Sequence, residues 1–289
     1  MSDYLIFTDA SADIDFEFAE KYNIGFVPME YTLGDEDYIC NGKETEEQLK
    51  KFYDCLRDGK TSKTTQINPY CYEEFFAPYL EKGLSVLYLC LSSGLSSTYH
   101  SACTAAENLN KKFPEADFIP VDSLYATTGM GIFLEKMAAN REKGMTILEN
   151  KKAIEGLRGS LFANCYVEDL MHLKRGGRIS AAKAVFGILL GIKPIITFTD
   201  HGTLEMVDKK KGTRQAVSYM VENYKKYGDL ESDTPVYVCD SDAPEMARHT
   251  VEKVLAANPR AIVKSTGLSP IIGTHLGPGS VVLFYEKKK

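Results

Sequence analysis

The chain has no apolar run long enough to cross a bilayer. Its longest, Ala181 to Ile196, is interrupted by Lys183, Gly187, Gly191, Lys193 and Pro194, where a spanning helix needs about 20 mostly apolar residues. It also lacks an excess of basic charge: 34 Lys and Arg face 40 Asp and Glu, a net charge of −6. That balance offers no basic face for phosphates and argues against nucleic-acid binding. Lys287-Lys288-Lys289 is the only basic tail and reads as a solvated chain end. No Cys-x-x-Cys pair occurs among the seven cysteines, which fit small core residues held as reduced thiols in a cytoplasm rather than zinc ligands. The opening residues Met1 to Asp9 lack a basic segment followed by a long apolar one, so an immediate strand is expected there and not a signal peptide.

Several catalytic signatures are missing too. No Gly-Lys-Ser/Thr follows a strand, and Gly129-Met130-Gly131 lies inside a predicted helix rather than before one, which removes the usual nucleotide-binding loops. Neither His-Glu-x-x-His nor Gly-x-Ser-x-Gly appears, and the five histidines show no metal-binding spacing. No metal and no cofactor are expected. A serine nucleophile at Ser92, Ser93 or Ser96 with His275 as base is conceivable. However, no carboxylate is placed to orient that histidine, and a Ser-rich helix-capping loop accounts for the same residues.

What is present is an ordinary globular composition, 44% hydrophobic and 26% charged over 289 residues, long enough for two domains. The first half alternates strand and helix signals, as in a parallel sheet with helices on both faces. Strands are expected at Tyr4 to Thr8, Ile24 to Tyr31, Val86 to Leu91 and Phe118 to Val121. Helices are expected after Asp13 (about ten residues), from Thr45 (as cap) to Leu56, up to Leu80, from Thr98 to Leu109 and from Tyr125 to Asn140. Gly59 to Pro69 reads as a polar loop. Three of the strands run into hydroxyl- or carboxylate-bearing loops: Thr8-Asp9-Ala10-Ser11, Ser92-Ser93-Gly94-Leu95-Ser96 and Asp122-Ser123. In a parallel sheet such loops gather at the carboxyl edge, where ligand crevices form. The Ser/Gly loop opening onto the Thr98 helix offers free N–H groups, the positive end of a helix dipole and hydroxyl donors, a place suited to an anion. From about Asn150 the pattern changes to a mixed sheet with helices on one side, including a hairpin around Thr199-Asp200-His201-Gly202. The expected fold class is α/β: a three-layer α/β/α domain over 1–150 with a mainly parallel sheet, and an α/β domain over 151–289 with a mixed sheet.

Six blocks stand in order along the chain: Thr8-Asp9-Ala10-Ser11-Ala12-Asp13, Lys63-Thr64-Thr65-Gln66, Ser92-Ser93-Gly94-Leu95-Ser96-Ser97-Thr98-Tyr99, Leu173-Lys174-Arg175-Gly176-Gly177-Arg178-Ile179-Ser180, Ile192-Lys193-Pro194-Ile195-Ile196 and Thr274-His275-Leu276-Gly277-Pro278-Gly279. Together they resemble the DegV family of bacterial fatty-acid-binding proteins. The resemblance implies one long-chain fatty acid, such as palmitate, bound between two α/β domains. The first domain would hold its carboxylate and the second would line its tail. Thr64 and Ser96 match the carboxylate-binding positions, and Arg178 and His275, the latter expected in a Gly-rich loop near the end of the chain, match neighbouring basic positions. It also implies a non-catalytic protein of lipid transport or fatty acid metabolism, which presents the carboxylate to a separate ATP-dependent fatty acid kinase. Two departures stand out: Ser97 where the family usually has Gly, and Ile67-Asn68-Pro69 in place of a Pro-Ser pair after Gln66.

The chemistry is coherent with such a ligand. A buried carboxylate needs donors, and charge-assisted hydrogen bonds contribute roughly 1.5–3 kcal/mol each. Each buried methylene adds about 0.8 kcal/mol, so a palmitate-sized tail reaches on the order of −10 kcal/mol before ordering costs. Candidate tail-lining residues are Phe133, Phe186, Ile188, Leu189 and Ile192, with Gly187 and Gly191 spaced to let a chain approach the backbone. Two rival readings use the same loop: a serine-dependent acyl hydrolase at Ser92 to Ser97, and a phosphate binder at the strand ends.

Overall fold

The computed structural model describes residues 4–179 and 191–288. In chain order, β1 (Tyr4–Asp9), α1 (Phe16–Lys21), β2 (Ile24–Val27), β3 (Met29–Leu33) and β4 (Glu36–Cys40) come first. They are followed by α2 (Glu46–Arg57), β5 (Ser62–Thr65), α3 (Pro69–Leu80), β6 (Ser85–Cys90), α4 (Thr98–Lys112), β7 (Phe118–Asp122), α5 (Thr128–Glu142) and α6 (Ile147–Gly156). Next are β8 (Leu161–Tyr166), α7 (Met171–Arg175), β9 (Ile192–Phe198), β10 (Leu204–Lys211), α8 (Thr213–Tyr227) and β11 (Val236–Asp240). The chain ends with α9 (Pro244–Ala257), β12 (Val263–Gly267), α10 (Pro270–Leu276) and β13 (Val281–Glu286).

A four-stranded parallel sheet has the order β2-β1-β6-β7. A six-stranded mixed sheet has the order β10-β9-β8-β13-β11-β12, with β11 and β12 parallel and the other pairs antiparallel. A three-stranded sheet has the order β4-β3-β5. The chain divides into two compact units. The first comprises Met1–Tyr31, Asp37–Lys43 and Thr64–Arg158; the second comprises Thr32–Glu36, Glu44–Lys63 and Gly159–Lys289. The fold class is therefore the expected α/β arrangement, parallel in the first unit and mixed in the second.

Parallel strands covered on both faces need continuous apolar sequence. β6 supplies it, with Val86 to Cys90 wholly buried. Around it the first unit packs an aromatic cluster in which Phe76 lies 4.4 Å from Phe118 and 5.2 Å from Phe7, centroid to centroid. Edge-on and offset pairs of this kind contribute about 0.5–1.5 kcal/mol each beyond their buried area. The second unit is built around Tyr166, Ile195, Val217, Met220, Val238 and Leu283, with α8 and α9 laid on the mixed sheet.

Thr45 caps α2 through a reciprocal capping box with Gln48, as its position ahead of the helix implies. The buried Tyr53 hydroxyl of that helix donates to Leu268 O at 2.9 Å, and Arg57 pairs with Asp242, which fixes α2 in the second unit. Three local expectations need correction. The polar stretch before Pro69 contains strand β5, whose Ser-Lys-Thr-Thr sequence alternates between half-buried and exposed positions without any apolar residue. Helix α1 has 6 residues, shorter than expected. His275 lies in helix α10 rather than in a glycine-rich loop.

Candidate functional site

In the parallel sheet the chain leaves β1 toward β2 on one side and leaves β6 toward β7 on the other. The loops after β1 and β6 therefore border the switch point where such sheets open a crevice. At that point Asp9, at the end of β1, is wholly buried. Its Oδ1 accepts from the Ser11 N–H at 3.0 Å and from the Ser11 hydroxyl; its Oδ2 accepts from the Leu91 N–H at 2.9 Å and the Tyr88 hydroxyl at 3.3 Å. Tyr88 in turn shares a 2.8 Å hydrogen bond with Tyr72. Burial pushes the Asp9 carboxyl above its ordinary range, and these donors pull against that shift.

The Ser loop is held from both sides. The Ser93 N–H donates to Asp122 Oδ1 at 3.1 Å, and the Leu124 N–H donates to the same oxygen at 3.0 Å. The Ser92 N–H donates to Tyr125 O at 2.9 Å. Ser92 itself is buried, and its hydroxyl accepts from the Gly94 N–H at 3.1 Å, a turn-forming role. Ser96 is half-buried. Its hydroxyl lies 2.7 Å from that of Thr98 and accepts from the Thr98 N–H at 3.3 Å. Thr98 is not a base able to activate a nucleophile. Ser97 stands at the N-cap of α4, but its side chain makes no capping hydrogen bond. A fifteen-residue helix thus begins beside Ser96 with its first turn uncapped by its own N-cap side chain, which is the geometry that favours an anion.

Thr64 lies on β5, half-buried, on the strand face opposite to Lys63 and Thr65. Phe133 is buried on α5, edge-on to Tyr125 with centroids 5.7 Å apart. Ile192 opens β9 and is half-buried. Phe186, Ile188 and Leu189 lie outside the described residues.

In the second unit the structure brings Arg178 and His275 together. The Arg178 guanidinium donates to Gly176 O, just past the end of α7. The His275 ring rests against the same glycine: a Cβ added at Gly176 would run into Nδ1 and sit 3.1 Å from Cε1. Burial, together with the Arg178 charge, holds His275 down at about 4, so its imidazole is neutral at neutral pH. His172 on α7 is likewise pushed down by burial and by Arg175.

Sequence reasoning singled out neither Thr98, the direct partner of Ser96, nor the anchoring roles of Asp9 and Asp122. The signal for the anchors was their place at the ends of two strands of one parallel sheet. Among the described residues, no group of three or more His, Cys, Asp and Glu side chains is arranged to hold a metal ion, and no helix is long and apolar enough to cross a membrane. All seven cysteines are free thiols.

A two-unit α/β protein with an anion-suited loop at its parallel-sheet switch point is the class these features define. The sequence model described as "Uncharacterised protein, DegV family" matches residues 4–288. The chain belongs to the DegV family. A DegV domain-containing protein of Clostridium perfringens is 32% identical over 285 residues, covering 99% of this chain and 98% of that protein. Among solved structures, DegV of Bacillus subtilis, described as a fatty acid binding protein, has a TM-score of 0.84 at 26% identity, with 100% of each chain covered. A DegV lipid binding protein of Thermotoga maritima has a TM-score of 0.84 at 25% identity, covering 99% of this chain and 100% of its own.

Proposed function

We propose that this protein binds one long-chain fatty acid and offers its carboxylate to a separate ATP-dependent fatty acid kinase, without turnover of its own. In this reading it works in the cytoplasm, in lipid transport or fatty acid metabolism. The carboxylate is taken by the hydroxyls of Ser96 and Thr64, with Arg178 and His275 as the neighbouring basic groups. Residues 1–150 hold the head, and 151–289 line most of the tail through Phe186, Ile188, Leu189 and Ile192, with Phe133 added from the first domain. The observation that carries the reading is the α4 N-terminus beside Ser96, left uncapped by Ser97 in a member of this family. Relatives described as fatty-acid- and lipid-binding proteins supply the ligand class. A neutral-donor site suits a carboxylate that must later react, because hydroxyls and N–H groups bind it without a tight ion pair.

Native mass spectrometry of protein purified from bacteria and incubated with palmitate tests this directly. One added fatty-acid mass is expected, released by solvent extraction and sharply reduced in Ser96→Ala protein of wild-type far-UV circular dichroism. A clean apo mass in repeated preparations overturns it.

A further inference from the structure

The second unit contains a reciprocal packing of two histidines on two glycines. His275, on α10, has its ring against Gly176, the residue that ends α7. His172, on α7, has its ring against Gly277, the residue that ends α10: a Cβ there would sit 2.7 Å from His172 Cγ and 2.9 Å from Nε2. Each short helix thus seats the other's imidazole in the space left by a missing side chain. The two glycines differ in kind. Gly277 has φ +74°, a backbone conformation that favours glycine on its own account. Gly176 has φ −72° and ψ −10°, an ordinary helical conformation that any residue adopts. Conformation therefore does not require a glycine at 176; space does. Its carbonyl also accepts from the Arg178 guanidinium, so one residue touches both candidate basic groups of the unit.

We propose that Gly176 is a positioning residue: by lacking a Cβ it fixes the His275 imidazole in its buried seat beside Arg178, and through it sets ligand affinity without touching the ligand. The proposal rests on the assignment of His275 to the carboxylate site. A neutral imidazole contributes one N–H donor, whose value depends on where it points. An added methyl at 176 forces the ring to swing away, since the α7 backbone on the other side is fixed by the Gly176 N–H to His172 O and Arg178 N–H to Leu173 O hydrogen bonds.

The test is a double-mutant cycle on the full chain with Gly176→Ala, His275→Ala and both together, using palmitate as the probe. Hydrogen bonds to charged groups in the 1.5–3 kcal/mol range correspond to an affinity loss of about tenfold or more. Gly176→Ala is expected to lose about as much affinity as His275→Ala, and the double variant no more than either, because alanine fits once the ring is gone. Equal, additive losses in both backgrounds overturn the proposal. A second readout needs no ligand: NMR titration of the histidine ring protons, with His275→Asn used for assignment. Displacement from the buried seat is expected to raise the His275 midpoint from about 4 toward the ordinary histidine value near 6.5. An unmoved midpoint in folded Gly176→Ala protein refutes the positioning role. If wild-type protein takes up no palmitate while the NMR shift occurs, the ligand assignment fails and the packing argument stands.

Discussion

Removing the Asp122 carboxyl isolates what the Ser loop owes to its anchor. Asp122 Oδ1 accepts from two backbone N–H groups, Ser93 at 3.1 Å and Leu124 at 3.0 Å. The second holds Leu124 at φ +58°, a left-handed conformation that costs a non-glycine residue about 1–2 kcal/mol. Asp122→Ala leaves both donors without their acceptor and that strain without its restraint. Each bond to a charged acceptor contributes about 1.5–3 kcal/mol. Because both donors are only partly buried, water replaces some of this, and a loss of about 2–4 kcal/mol is expected. Asp122→Asn keeps an oxygen at the Oδ1 position but not its charge, and is expected to lose about 1–2 kcal/mol, half the alanine loss. Urea unfolding at neutral pH measures both, provided the m-value is unchanged. The same proteins titrated with palmitate are expected to show a roughly tenfold weaker affinity for the alanine variant and a near wild-type affinity for the asparagine variant. If alanine and asparagine behave alike in both assays, the shared acceptor is not what holds the loop, and the argument fails.

Asp9→Asn puts an amide where a donor already points, orphaning one N–H at a cost of about 1–3 kcal/mol. Since the buried carboxyl titrates above its ordinary value, the folded state binds the proton more tightly, so wild-type stability falls as pH rises through that window. The gap between the wild type and Asp9→Asn should therefore be widest at the acid end and narrow as pH rises; a gap independent of pH counts against a raised Asp9. Tyr53→Phe removes the buried donor to Leu268 O at 2.9 Å and should lower the unfolding free energy by about 1–3 kcal/mol, read by urea denaturation. Gly25→Ala drives a methyl into the Phe7 ring, 2.6 Å from Cζ. That ring is wedged edge-on among Phe75, Phe76 and Tyr79, so overpacking should cost about 1–3 kcal/mol, seen as a lower Tm.

The parts of the fold that could be read in advance are those where one local rule decides the outcome. Val86 to Leu91 is apolar on both sides of the strand and ends in Ser and Gly, so a buried parallel strand with a ligand-edge loop follows from it. Thr45 with Gln48 three residues on is a capping box in sequence and in structure. β5 escaped because a polar four-residue strand carries no apolar alternation; its place in a sheet depends on β3, far from it in the chain. α2 looks like any amphipathic helix, and nothing local in it says that Tyr53 will find Leu268 or Arg57 will find Asp242. Gly273, Gly277 and Gly279 surround His275 and point to a loop in the sequence. Yet Pro270 opens a seven-residue helix there and Gly277 closes it at φ +74°.

The hardest element to read was the reason for the first glycine in Arg175-Gly176-Gly177-Arg178. A pair of glycines before an arginine suggests a sharp turn, and Gly177 at φ +70° fits that explanation. Gly176 does not, since its backbone is helical. What it provides is an absence of volume, filled by a ring roughly a hundred residues away in the chain. Hydrophobic periodicity, turn propensity and charge pattern all describe what a residue contributes, and none of them registers a Cβ that must be missing. Such a position becomes visible only when the group occupying the space is known. The double-mutant cycle at 176 and 275 therefore probes the kind of information that long-range packing adds to the chain.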